Sequence, residues 1–157
     1  MIWITDVLEA GCDDADVVDH IPLSRGDMQK IRMRRRTDGG ADVGVDLPPG
    51  TVLHHGDRVG NKGGVVMAIR QLPERVCSIR PKPDAPISAM ILAGHALGNM
   101  HRPVRVHDDT VQFPLLADSE LDTIGKMLAA IGPDHYAVSV DTAIFVPHTA
   151  ANVAGHG

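Results

Sequence analysis

Apolar residues in this chain follow two different periods, and the change between them near Arg75 limits the fold more than any other feature. Before it, Ile31-Arg32-Met33-Arg34 and Val43-Gly44-Val45-Asp46-Leu47 alternate with the two-residue period of strands that keep one face in water. Turn residues interrupt these runs at Asp38-Gly39-Gly40, Pro48-Pro49-Gly50, His54-His55-Gly56-Asp57 and Asn61-Lys62-Gly63-Gly64. Thr51-Val52-Leu53 resumes the strand pattern, and Val65-Val66-Met67-Ala68-Ile69 reads as a buried strand. Residues 1–74 are therefore expected to form a small all-β domain.

Beyond that point strand and helix periods alternate. Val76-Cys77-Ser78-Ile79 reads as a strand. Asp84-Ala85-Pro86 starts a helix whose periodic positions are Ile87, Met90, Ile91, Gly94 and Leu97. Gly98-Asn99 is expected to end it, since both residues tolerate the left-handed conformation. Val104 and Val106, then Val111 and Phe113, alternate on either side of Asp108-Asp109 as in a hairpin. Asp118-Ser119-Glu120 opens a second helix through Leu121, Ile124, Leu128 and Ile131, which Gly132-Pro133 stops, and Tyr136, Val138 and Val140 make a last strand. The order βαββαβ predicts an α+β chain in which residues 75–143 are ferredoxin-like, two helices covering one face of a four-stranded antiparallel sheet. Residues 144–157 are expected to be a short flexible tail.

Composition then removes whole classes of function. Only Trp3, Phe113, Tyr136 and Phe145 are aromatic and the formal charge is -5, which offers little to a binder of stacked bases, so no nucleic-acid partner is expected. Cys12 and Cys77 form no CxxC pair, which excludes a four-thiolate zinc site, and two isolated thiols fit a reducing, cytoplasmic compartment. The N-terminus lacks a basic leader region, and the longest apolar stretch, Ile87 to Gly94, falls short of the roughly 18–20 residues that span a bilayer, so no membrane partner is expected. Asp13, Asp14, Asp16 and Asp19 lack the glycine and closing glutamate of a calcium loop. Arg32, Arg34 and Arg36 fall on one exposed strand face and read as solvated. With no serine or cysteine nucleophile motif either, no catalytic role is expected.

Nine histidines stand out against this background. His54 and His55 are adjacent and would point to opposite faces of a strand, so they read as turn residues. His95 lies in the last turn of the first helix, His107 ends a strand beside Asp108-Asp109, and His20 and His135 read as surface positions. His101 follows the expected helix stop in Gly98-Asn99-Met100-His101-Arg102-Pro103 and admits two readings. One is a cation beside the negative end of a helix dipole, stabilising by roughly 0.3–1 kcal/mol. The other is a ligand for a borderline metal such as nickel, copper or zinc, with a second imidazole supplied by a two-fold related chain. His148 and His156, in the tail, could bring a further imidazole to such a site.

The string Leu97-Gly98-Asn99-Met100-His101-Arg102-Pro103-Val104 resembles the urease accessory metallochaperones of the UreE family. So do Arg34-Arg35-Arg36-Thr37-Asp38-Gly39-Gly40, Val43-Gly44-Val45-Asp46-Leu47-Pro48, Gly50-Thr51-Val52-Leu53 and Gly56-Asp57, in the same order. The resemblance covers roughly residues 20–148. It implies an N-terminal β domain that binds peptide, a ferredoxin-like domain that binds metal and joins a homodimer, and delivery of Ni2+ to the urease apoprotein alongside other urease accessory proteins, including the GTPase. It places His101 at the interfacial metal position, with His148 and His156 as helpers and Zn2+ or Cu2+ as competitors. Met100 replaces the family's usual arginine, and Phe113-Pro114-Leu115-Leu116 occupies a region where some members carry further histidines. A peptide- or protein-binding scaffold without a metal role is the alternative expectation.

Overall fold

The computed structural model of the protein describes residues 1–9 and 16–147. The chain divides into two units, Met1–Leu72 and Pro73–Gly157.

The first unit is all β, as the turn-punctuated alternation predicts. Its strands are β1 (Ile2–Ile4), β2 (Asp6–Val7), β3 (Asp19–Leu23), β4 (Arg32–Arg36), β5 (Asp42–Asp46), β6 (Arg58–Gly60) and β7 (Val66–Gln71). They form one sheet ordered β1-β5-β4 and another ordered β2-β6-β7-β3. Ile4, Val43 and Val45 from the first sheet share a core with Ile21, Leu23, Val59, Met67 and Ile69 from the second. Trp3 is paired with Gly44 across β1 and β5, and a Cβ at position 44 would lie 2.7 Å from the indole, so this strand position requires glycine. The arginine face of β4 is solvated as expected, with Arg32 bound to Asp46 at 3.0 Å and Arg34 to Asp42 at 2.6 Å.

Two features of this unit depart from the sequence reading. Thr51-Val52-Leu53 is not a strand, because its amides bond no neighbouring strand: that of Thr51 donates to the Pro48 carbonyl at 3.2 Å and that of Leu53 to the Met28 carbonyl, in a 3-10 turn, at 3.1 Å. Conversely β1 and β3 are strands, each pairing in parallel, with β5 and β7 respectively. β3 contains Pro22 and accordingly lies at a sheet edge, where a missing amide is tolerated.

Asp27 ties a short 3-10 turn (Asp27–Gln29) to β4, bonding Lys30 Nζ at 2.9 Å and Arg35 Nη2 at 2.6 Å. Chiefly through Lys30, and also through Arg35 and Ser24, its carboxyl is held down at about 2. A folded-state value below the unfolded one means that this stabilisation is complete above about pH 4 and is lost as pH falls toward 2. Asp27→Asn is therefore expected to remove on the order of 1–2 kcal/mol at neutral pH and to flatten the fall of the urea midpoint between pH 4 and 2.

The second unit contains β8 (Glu74–Pro81), α1 (Ile87–Asn99), β9 (Arg105–His107), β10 (Thr110–Pro114), α2 (Glu120–Ile131) and β11 (Tyr136–Ala143). The sheet runs β11-β8-β10-β9, every pair antiparallel, which is the ferredoxin-like order. One face buries Cys77, Ile79, Val111 and Phe113 against Ala89, Ala93 and Leu97 of α1 and Ile124 and Leu128 of α2. Tyr136 joins this layer and donates its hydroxyl to the Ala89 carbonyl at 2.6 Å. β11 continues to Ala143, past the expected end at Val140, because its eight residues pair in register with all of β8. Burial pushes the Cys77 thiol up to about 11, as befits an inert core residue. Among the described residues no helix is long and apolar enough to cross a membrane.

Candidate functional site

α1 presents two unlike stripes. Ala89, Ala93 and Leu97 face the core, whereas Ile87, Ile91, Gly94 and Gly98 recur at spacings of four, three and four on the other side. Ile87 is 82% exposed and Ile91 66%, and Leu92 and Val106 are also open. A groove of about 440 Å³ bordered by Ile87, Met90, Ile91, Val106 and Val111 continues this apolar surface.

His101 stands at the C-terminal end of the open stripe, and it is exposed. Gly98 and Asn99, expected to end the helix, are still helical; the left-handed residue is His101 itself, with φ of 55°. Its amide donates to the Gly98 carbonyl at 3.0 Å, and the Arg102 amide to that of Leu97 at 3.4 Å. These two bonds are the Schellman pair that closes a helix, and they put histidine where glycine is the usual residue. A side chain at such a position costs roughly 1–2 kcal/mol, although histidine enters this region more often than most residues.

The next residue anchors the connection. Arg102 forms an ion pair with Glu120 at the start of α2, the two side chains being only 14% and 17% exposed. Glu120 Oε1 also accepts the amides of Leu116 and Ala117, the latter at 3.1 Å. One carboxylate thus fixes both the loop entering α2 and the residue after His101. The sequence offered Glu120 only as a helix opener, and its reach back to Arg102 depends on the fold.

The other histidines take local roles. His95 Nε2 lies 3.3 Å from Asn99 Nδ2, one turn on. His54 lies in a turn with Asp57, and His55 Nδ1 accepts the Gln71 amide at 3.0 Å, which makes it a structural acceptor. His107 approaches Asp108 at 3.4 Å at the hairpin tip, His135 packs edge-on against Tyr136, and His20 lies in β3. Phe113 and Pro114 are fully buried and contribute to the core. His148 and His156, like Cys12, lie outside the described residues. Among the described residues no three His, Cys, Asp or Glu side chains come together as a metal site.

Comparison with known proteins bears on both units. Residues 4–72 match the family model described as UreE urease accessory protein, N-terminal domain. A urease accessory protein UreE of Ralstonia nicotianae is 36% identical over 127 residues, covering 81% of this chain and 55% of its own. That of Paraburkholderia xenovorans is 36% identical over 140 residues, covering 87% of this chain and 56% of its own. The first unit is thus a UreE N-terminal domain, and the similarity to UreE proteins runs on over most of the chain. A more distant UreE, from Natronomonas pharaonis, is 28% identical over 149 residues, 88% of this chain and 65% of its own. The chain spans between about half and two thirds of the length of these UreE relatives. They are named as accessory proteins rather than enzymes, which accords with a sequence that offers no catalytic constellation.

Proposed function

We propose that this chain is a cytoplasmic urease accessory metallochaperone. It forms a homodimer that carries Ni2+ between two His101 side chains and delivers it to apo-urease, acting with other urease accessory proteins including the GTPase. Nickel is cargo in this reading. The observation that carries it is His101 itself, an exposed imidazole held in a costly left-handed cap where glycine would serve the helix better.

The open stripe of α1 supports the dimer. A glycine inside a helix costs about 1 kcal/mol relative to alanine, and a Cβ at Gly94 or Gly98 would meet nothing within 4 Å in the chain. Nothing inside the monomer repays that cost. A second copy approaching closely along the Ile87-Ile91-Gly94-Gly98 stripe would, and two-fold symmetry would bring the two His101 residues to the same end of the contact. Two imidazoles leave coordination positions open for His148, His156 or water, which suits release as well as capture. Nitrogen donors of this kind also accept Zn2+ and Cu2+.

Calorimetric titration of tag-free protein with Ni2+, paired with analytical ultracentrifugation, tests the reading. We expect a dimer binding one interfacial Ni2+ per two chains, with affinity falling below about pH 6 as protons compete for imidazole nitrogens. A monomer at micromolar concentration, or a dimer that takes up no nickel at pH 7.5, would overturn it.

A further inference from the structure

The helices of the second unit cover one face of its sheet; the opposite face carries a groove of about 630 Å³ running across β9, β10, β8 and β11. We infer that this groove binds an acidic polypeptide segment through Arg80 and Arg105. The inference is independent of the nickel reading.

The arginines of this chain are otherwise spoken for. Of eleven, Arg32 pairs with Asp46, Arg35 with Asp27, Arg70 with Asp38, Arg75 with Asp118 and Arg102 with Glu120. Arg34 and Arg36 both act on Asp42, and Arg25 and Arg58 are also engaged. Among the described arginines only Arg80 and Arg105 lack a hydrogen bond or charge partner, and both line the same groove. In a chain with 20 carboxylates, two unneutralised guanidiniums lining one groove form a site for an anion from outside.

Register and lining define that anion further. Arg105 lies beside Gln112, Gln112 beside Ser78, and Ser78 beside Ser139, so a row of hydrogen-bonding side chains crosses the groove. β8 and β9 are two strand spacings apart, about 10 Å, which two long arginine side chains can bridge to carboxylates standing about 7 Å apart on alternate residues of an extended peptide. Asp141 at the β11 side opposes a continuous polyanion, as does the overall charge of -5. Phe145 is buried and offers no stacking face for a base. Discrete carboxylates fit these constraints and a phosphate chain does not.

The test is a titration of the full-length chain with an acetylated hexapeptide of alternating serine and glutamate. Its serine-glutamine counterpart, tripolyphosphate and oligouridylate serve as comparators. The acidic peptide is expected to bind at least tenfold more tightly than each comparator and to shift the amide resonances of Ser78, Gln112 and Ser139. The double variant Arg80→Gln with Arg105→Gln should weaken it at least tenfold, whereas Arg32→Gln should change it less than twofold. Both altered side chains are exposed, so an unchanged thermal midpoint certifies that the variant is folded. Equal binding of the two peptides, indifference to the double variant, shifts confined to the other unit, or tighter binding of tripolyphosphate or oligouridylate would each overturn the inference.

Discussion

Replacing His101 with glycine is expected to abolish nickel retention and leave the protein at least as stable as before. The two effects come from different parts of one residue. In the proposed two-fold site, loss of the imidazole removes a ligand from both halves, and because even outer-sphere changes cost 10–100-fold in affinity, a weakening of about 100-fold or more is expected. The backbone, by contrast, gains. Glycine at the left-handed Schellman position relieves strain of roughly 1–2 kcal/mol, partly offset by the greater freedom of glycine in the unfolded chain. His101→Ala separates the contributions: it should lose nickel equally but be less stable than His101→Gly by about 1 kcal/mol. For a unit of this size that corresponds to about 4–8 °C in Tm. If His101 were only a cation serving the helix dipole, neither variant would change calorimetric nickel binding, and that result would refute the metal assignment.

The largest loss of stability is expected from Glu120→Ala. This substitution strands Arg102 in a site only 14% exposed and leaves the Leu116 and Ala117 amides without their shared acceptor. Removing one partner of a buried pair costs about 3–5 kcal/mol, and the residual exposure here argues for about 2–4 kcal/mol. Thermal unfolding should shift down by at least about 8 °C on the scale of about 4–8 °C per kcal/mol. Glu120→Gln is the informative companion, since an amide oxygen can still accept both backbone amides while the charge pairing with Arg102 is lost. It should recover part of the stability, and an Ala variant as stable as the wild type would show that Glu120 holds nothing in place.

Much of the fold was legible because it depends on local periodicity. The span of α2, the hairpin around Asp108-Asp109 and the βαββαβ order all follow from spacings that one element satisfies by itself. What was not legible depends on a partner elsewhere in the chain. β3 carries a proline and has no strand period, yet β7 recruits it in parallel; Thr51–Leu53 has the period, yet its amides bond the Pro48 and Met28 carbonyls rather than a strand. The helix stop failed for a related reason. Gly98 and Asn99 tolerate the left-handed region, but tolerance does not decide which carbonyls are capped, and the bonds to Leu97 and Gly98 require the reversal three residues after Gly98. His101 could be picked out as a residue just past a helix. Its conformation could not, nor could the absence of partners at Arg80 and Arg105, which is a property of the finished sheet.

Gly94 and Gly98 have a practical corollary for anyone who mutates this protein in bulk. A library screened for folding would promote alanine at both positions, because the isolated chain has room for a methyl group and α1 gains helix propensity. A library screened for urease-dependent growth would discard the same changes wherever they hold two chains apart. Disagreement between the two screens would outline the contact surface of the proposed dimer, without the need to crystallise the pair.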